Sequence, residues 1–182
     1  RQRQMCIRDR AETTPSTTKI FHVGSIALID GEDANLWEQK FCELADQGVI
    51  TSLDPNIREL LVKNKKQYLD RLERMSKHAN ILKLSDEDLN YMRPKASLGD
   101  AFIEICNTTS AEIIVLTMGA KGARVKAGEI YFEVGAAVCD PLVDTVGAGD
   151  TFMGMSLAEL SERKASAATL SNISEDELTY IV

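Results

Sequence analysis

The chain has 182 residues, 44% of them hydrophobic, enough to bury the core of one domain and too few to require two. Its 28 acidic residues outnumber 21 basic ones, and because Arg1, Arg3, Arg8 and Arg10 stand against Asp9 alone at the start, the rest of the chain is more negative still than the total of −7, the wrong sign for a nucleic-acid surface. No apolar run approaches a membrane span, and Cys6, Cys42, Cys106 and Cys139, with only His22 and His78 to join them, form neither a CxxC pair nor a disulfide framework, so reduced thiols of a cytoplasmic protein are expected.

Residues 1–10 have neither the apolar core of a signal peptide nor a helical stripe, and are expected to be foreign to the domain. Residues 11–18, rich in Thr and Ser, read as a polar linker. Order is expected from Lys19: the apolar residues 20–23 and 26–29 flank Gly24-Ser25 and read as a buried strand and its exit. Trp37, Phe41, Leu44 and Ala45 make one helical face that Gly48 stops. Residues 49–53 are the next strand. Ile57, Leu60, Leu61, Tyr68, Leu72 and Met75 then carry a helical stripe as far as His78, with Lys63, Lys65 and Lys66 on its solvated side.

Residues 79–84 read as a third strand, and Ser85 with three acids after it as a helix start. Residues 97–108 are helical, with Leu98, Ala101, Phe102 and Ile105 inward, and residues 112–116 form a fourth buried strand that ends in a glycine turn. Residues 124–126 and 130–134 pair as a hairpin, and an extended piece from 136 to 143 leads to Asp144. Residues 165–169 extend the last long helix, and Ser174 with Glu177 opens a further one. Strand and helix alternate throughout, which predicts an α/β fold of three layers: a mostly parallel sheet flanked by helices, with an antiparallel edge hairpin.

The most informative stretch is 144–152. Gly147-Ala148-Gly149 leads into a helix with Met153, Leu157 and Leu160 on one face, so the turn ends at a helix N-terminus. Backbone N–H groups there lack intrahelical partners and the dipole favours negative charge, which suits a phosphate or a developing anion. Asp150 at the mouth of such a site would repel the anion unless it had a chemical task, and accepting a proton from an alcohol during phosphoryl transfer is one that fits. An Asp after a glycine is also a common helix cap.

Asp144, Thr145, Gly147, Ala148, Gly149 and Asp150 in this order resemble the DTxGAGD signature of the PfkB-type carbohydrate kinases, the ribokinase-like family. That resemblance implies a catalytic base at Asp150 and an anion hole at Gly147, Ala148 and Gly149; Met155 departs from the Gly or Ala usual in the helix. Residues 54–58 look like the D-x-N-x-R element of fructokinase-like and ketodeoxygluconate kinase-like members, making Arg58 a candidate clamp, with a surface Arg in a first helical turn as the alternative. Thr145 would lie on the substrate or phosphate side.

Where the family carries N-x-x-E, this chain has Ser85 and Asp88, which implies a role for Ser85 at the nucleotide and for Asp88 in placing Mg2+ through water; an ordinary helix start remains open. Thr117 to Gly122 resembles the family's T-x-G-x-x-G nucleotide loop, with Thr117, Gly119, Lys121 and Gly122 as its members. Asp144 and the Val146 carbonyl would be ligands of an incomplete K+ site.

The resemblance covers residues 19–182 and lacks the family's amino-terminal part, with its sugar-binding Asp and lid, and its carboxyl-terminal end. It implies an ATP-dependent phosphorylation of a primary hydroxyl on fructose or a related small sugar by a cytoplasmic enzyme, homodimeric at full length, with no nucleic-acid or membrane partner. The reading from another class is an inactive fragment or a non-catalytic nucleotide-binding module of the same fold. A dinucleotide-binding dehydrogenase is excluded, because the glycine turn opens a late helix and no GxGxxG occurs.

Overall fold

A computed structural model describes residues 14–138, 140–141 and 144–182 of the chain. The decapeptide expected to be foreign, and part of the extended piece expected before the motif, lie outside the described residues.

Six strands form one sheet in chain order: β1 (Ile20–Gly24), β2 (Ile50–Asp54), β3 (Ile81–Ser85), β4 (Ile113–Thr117), β5 (Ala123–Ala127) and β6 (Ile130–Val134). The pairs from β1 to β4 are parallel and the last two are antiparallel, so the edge hairpin expected from the sequence is present. Four helices, α1 (Gly31–Asp46), α2 (Lys65–Ser76), α3 (Asp86–Met92) and α4 (Leu98–Thr108), follow the parallel strands. Two more, α5 (Ala148–Glu162) and α6 (Glu175–Ile181), come after the hairpin.

Side chains alternate across the sheet with period two, and this alternation builds two cores. Val23, Leu53, Leu82, Leu84, Ile114 and Leu116 face Phe41, Tyr68, Leu72, Met75 and Phe102 of α1, α2 and α4. Ile50, Ile81, Ile113 and Val115 face Met153 and Leu160 of α5 and Leu178 of α6. These are the three layers of the predicted α/β fold.

Local caps fix the helix starts. The Asn64 side chain accepts the Gln67 N–H at 3.1 Å, and Ser85 with Asp88, like Ser174 with Glu177, makes a reciprocal capping box. The cap at Asn64 also corrects the stripe read from Ile57 to His78. Only Lys65–Ser76 is α-helical; Glu59–Leu61 is a separate 3-10 turn on which Leu60 is fully exposed. Pro55 and the left-handed Asn56 (φ 39°) turn the chain as it leaves β2, so the apolar positions before Asn64 cannot stay in phase with those after it. Likewise β1 ends at Gly24 and continues as a 3-10 turn, Ser25–Leu28, and α5 stops at Glu162, where Lys164 (φ 57°) breaks it before a short 3-10 segment, Ala167–Asn172.

One polar group organises the α1–α2 packing. Arg71 is buried, and its guanidinium donates to Glu38 Oε2 at 3.0 Å, to the Leu28 carbonyl at 2.9 Å and to Asn35. Burial pushes the Glu38 carboxyl up, but hydrogen bonds from Arg74 and Arg71 outweigh it and hold the group below its ordinary 4.5. Replacing Arg71 by Ala leaves the Leu28 carbonyl and Asn35 Oδ1 without this donor and Glu38 with Arg74 alone, and a loss of about 3 kcal/mol in urea unfolding is expected. Glu38→Gln should be destabilising at neutral pH. Because the folded pKa is depressed, that penalty should disappear as pH falls below 4.5 and through the lowered value; a pH-independent penalty would contradict the ion-pair account.

Candidate active site

On the face of the sheet that meets α5, the amino-terminal positions are apolar and the carboxyl-terminal positions are polar. Ile20, Ile50, Ile81 and Ile113 give way, two or four residues on, to His22, Ser52, Asp54, Lys83 and Thr117. The parallel register sets these side by side: His22 pairs with Ser52, Gly24 with Asp54 and Ser85 with Thr117. The carboxyl ends of parallel strands are where open α/β sheets bind ligands.

His22 Nδ1 lies 3.0 Å from Ser52 Oγ, and Lys83 Nζ donates to Asp54 Oδ2 at 2.9 Å. Both members of the second pair are buried, at 4% and 3% exposure. Burial pushes the Asp54 carboxyl up, opposed by the ammonium beside it, and the other oxygen, Oδ1, is buried with no hydrogen-bond partner. Although part of the His22 ring is exposed, crowding by the sheet lowers its pKa; the charges of Asp54 and Asp150 act upward and that of Lys83 downward. The field of Asp150 thus reaches the strand ends.

Asp150 sits in the first turn of α5, exposed, with no ion pair or side-chain hydrogen bond among the described residues. Gly147, at the N-cap, takes the left-handed conformation (φ 78°) that glycine tolerates, and no side chain caps the helix. The Ala148 N–H is taken by the Thr145 carbonyl at 3.1 Å and the Thr151 N–H by the Gly147 carbonyl at 2.8 Å. The Gly149 and Asp150 amides are left without an acceptor among the described residues. Gly149 rests on Lys83: a Cβ there would lie 3.0 Å from Nζ. Asp144 Oδ1 accepts the Val146 N–H at 3.0 Å, which shapes the turn, and both Asp144 and Thr145 are exposed.

The strand exits are stitched together by glycines. Gly24, in extended backbone, lies so close to β2 that a Cβ would come within 1.9 Å of the Asp54 carbonyl oxygen, and the Ser25 N–H donates to the Pro55 carbonyl at 3.0 Å. Ser25 and Asn56, both left-handed, mark this crossing as strained, a feature that clusters at functional sites. Beyond β4, Thr117 donates to the Leu84 carbonyl at 3.3 Å, Gly119–Lys121 forms a 3-10 turn, and Gly122 (φ 85°) sits 1.9 Å, at its Cβ position, from the Val134 carbonyl oxygen. Lys121 and Gly119 are exposed on that turn.

Asp88 is buried, and its two oxygens accept the Ile57 N–H at 2.6 Å and the Ser85 N–H at 2.9 Å. It therefore ties the loop after β2 to the start of α3. Arg58 precedes the 3-10 turn on that loop, exposed, and its guanidinium has no partner among the described residues. Among the described residues no group of three His, Cys, Asp or Glu side chains could hold a metal ion, and Cys42 and Cys106 are free. Lys83, His22 and Ser52 line the candidate site at the strand ends and were not singled out in the sequence. The available signal was a lysine inside an otherwise apolar strand.

Residues 7–171 match the model of the pfkB family of carbohydrate kinases. The chain belongs to that family. A fructokinase of Rhizobium leguminosarum bv. trifolii is 37% identical over 139 residues, which cover 76% of this kinase-family chain and 42% of the relative. Fructokinase-2 of Solanum habrochaites is 27% identical over 160 residues, 87% of this chain and 48% of the relative. Among solved structures, a fructokinase of Vibrio cholerae bound to fructose, ADP and calcium ion superposes with a TM-score of 0.76 at 28% identity, covering 89% of this chain and 53% of the other. A fructokinase of Xylella fastidiosa with bound ATP shares the fold, with a TM-score of 0.80 at 24% identity, over 90% of this chain and 51% of the other. This pfkB-family chain thus spans about half the length of these relatives.

The two glycine roles are separable. Gly24→Ala must displace the β2 backbone and is expected to cost about 3 kcal/mol, the upper part of the range for overpacking. Gly147→Ala meets nothing within 4 Å and should cost only the left-handed strain, about 1 kcal/mol. Urea unfolding of both variants checks this, and equal losses would contradict it.

Proposed function

We propose that this chain carries the phosphoryl-transfer half of a sugar kinase that moves the terminal phosphate of ATP to a primary hydroxyl of fructose or a closely related sugar. The observation that supports this best is the juxtaposition at the start of α5: an exposed carboxylate at Asp150 and two amides, none with a partner among the described residues, beside the carboxyl ends of the parallel strands. Asp150 accepts the proton of the attacking hydroxyl, and the Gly149 and Asp150 amides hydrogen-bond the charge that grows on the transferring oxygens; the Ala148 N–H, expected in the anion hole, is already taken by the Thr145 carbonyl. Positioning and electrostatics are most of what phosphoryl transfer asks of a protein.

The nucleotide lies along the turn from Thr117 to Gly122, where glycines let the backbone approach, with Lys121 toward its phosphates. Arg58, at the exit of β2 and without a partner among the described residues, is the candidate to meet a phosphate or an acidic group of the substrate. Names of relatives and ligands of solved neighbours, fructose and ADP among them, support the substrate class.

A divalent cation, Mg2+ in the family resemblance, supplies charge neutralisation between phosphate oxygens when bound. Asp88 does not fit as its direct ligand, because the carboxylate is buried and both oxygens already accept backbone N–H groups. A hard cation that keeps its own waters and takes substrate phosphates remains compatible with the site. Asp144 is exposed and its Oδ1 accepts the Val146 N–H, so a K+ site at Asp144 would take its other ligands from carbonyls beyond this turn.

A second reading, a nucleotide-binding module without turnover, is favoured by one fact: the chain is about half as long as its relatives. Measuring ADP release with a panel of sugars, on this chain and on the full-length protein, separates the two. In the full-length protein, Asp150→Asn is expected to lower kcat by about 10^2–10^4-fold with nearly unchanged nucleotide affinity. Equal turnover of the two forms would overturn the assignment of the base.

A further inference from the structure

Lys83 is an expensive residue where it stands. Its register neighbour on β4 is Val115, its ammonium is buried, and of its three N–H donors only one has a protein acceptor, Asp54 Oδ2 at 2.9 Å, among the described residues. Asp54 is left with a buried oxygen that has no partner. A buried ion pair is well compensated only when the remaining donors and lone pairs are also satisfied, and here they are not.

The sign of the charge is also unusual. Helix N-termini favour anions, yet Lys83 brings a cation against the first turn of α5, within 3.0 Å of the Cβ position of Gly149. Two positive features, the ammonium and the uncapped end of a 15-residue helix, converge on one spot. Such an arrangement is self-repelling when empty and becomes favourable when an anion enters between them. Gly149 serves this contact: it has no side chain to hold the ammonium away, a reason distinct from the left-handed turn at Gly147.

We propose that Lys83, anchored by Asp54 beneath Gly149, is a positioning residue for phosphoryl transfer, its fixed positive charge and spare N–H groups holding phosphate oxygens against the α5 amides. This deepens the kinase reading above and rests on it for the reaction, though not for the anion. The ligand class is a phosphate group, free or at the end of a nucleotide. His22 of β1 and Ser52 of β2, 3.0 Å apart, continue the polar row away from Lys83.

Two variants of the full-length protein test this. Lys83→Gln keeps a donor for Asp54 and removes the charge; Lys83→Met/Asp54→Asn removes the pair together and leaves no unpaired buried charge if the single change fails to fold. The first readout is the Gly149 amide resonance in an inorganic phosphate titration, which needs no turnover. Both variants are expected to weaken phosphate binding at least 10-fold, and to lower kcat by about 10^2-fold with the sugar KM within about threefold, as for loss of one oxyanion donor. A double variant that folds and keeps wild-type phosphate binding and kcat would overturn the proposal, as would a loss confined to sugar KM. Asp150→Asn runs in parallel: if it keeps full turnover the base assignment fails, while the phosphate titration still decides Lys83.

Discussion

Everything at this site depends on one constraint: the Gly149 and Asp150 amides in the first turn of α5 have no acceptor among the described residues and lie by the polar ends of the parallel strands, beside Lys83 of β3. Backbone donors that are not spent inside the helix are a standing demand for an anion. The fold holds this demand in place from below. Met153 and Leu160 pin α5 to the apolar half of the sheet, which leaves its N-terminus projecting over the polar half. On the α5 face of the parallel strands, the change from an apolar amino end to a polar carboxyl end is therefore what turns a packing layer into a candidate site.

Asp150 gains its chemical meaning from that placement. An aspartate in a first helical turn ordinarily stabilises the helix through the dipole. Here the carboxylate is exposed and has no partner among the described residues, and the Lys83 ammonium lies against Gly149 from the sheet side. The Asp150 carboxylate and the free amides come from α5, and the Lys83 ammonium meets the same turn from β3. The strained crossing at Ser25 and Asn56, locked by the contact of Gly24 with the β2 backbone, fixes the adjacent rim.

Much of this was legible in the sequence because it is local. The motif 144–152 lies in one stretch, the capping boxes at Ser85 and Ser174 each span four residues, and the alternation of short apolar runs with helical stripes gives the layers. Non-local features were not. The stripe from Ile57 to His78 kept its phase on paper, but the exit geometry of β2 and the Asn64 cap broke it in space. Lys83 looked like an ordinary residue of a short strand, since its partner Asp54 is 29 positions away and its contact with Gly149 is farther still. For Asp88 the pattern gave the capping box, whereas the tie to Ile57 required the fold.

The most direct measurement is a crystal structure of the full-length protein with ADP, sugar and aluminium fluoride as a mimic of the transferring phosphoryl group. The account predicts fluoride atoms within hydrogen-bond reach of the Gly149 and Asp150 amides and the Asp150 carboxylate on the sugar hydroxyl in line with the metal fluoride. A mimic bound elsewhere, or Asp150 turned away from the sugar, would contradict it.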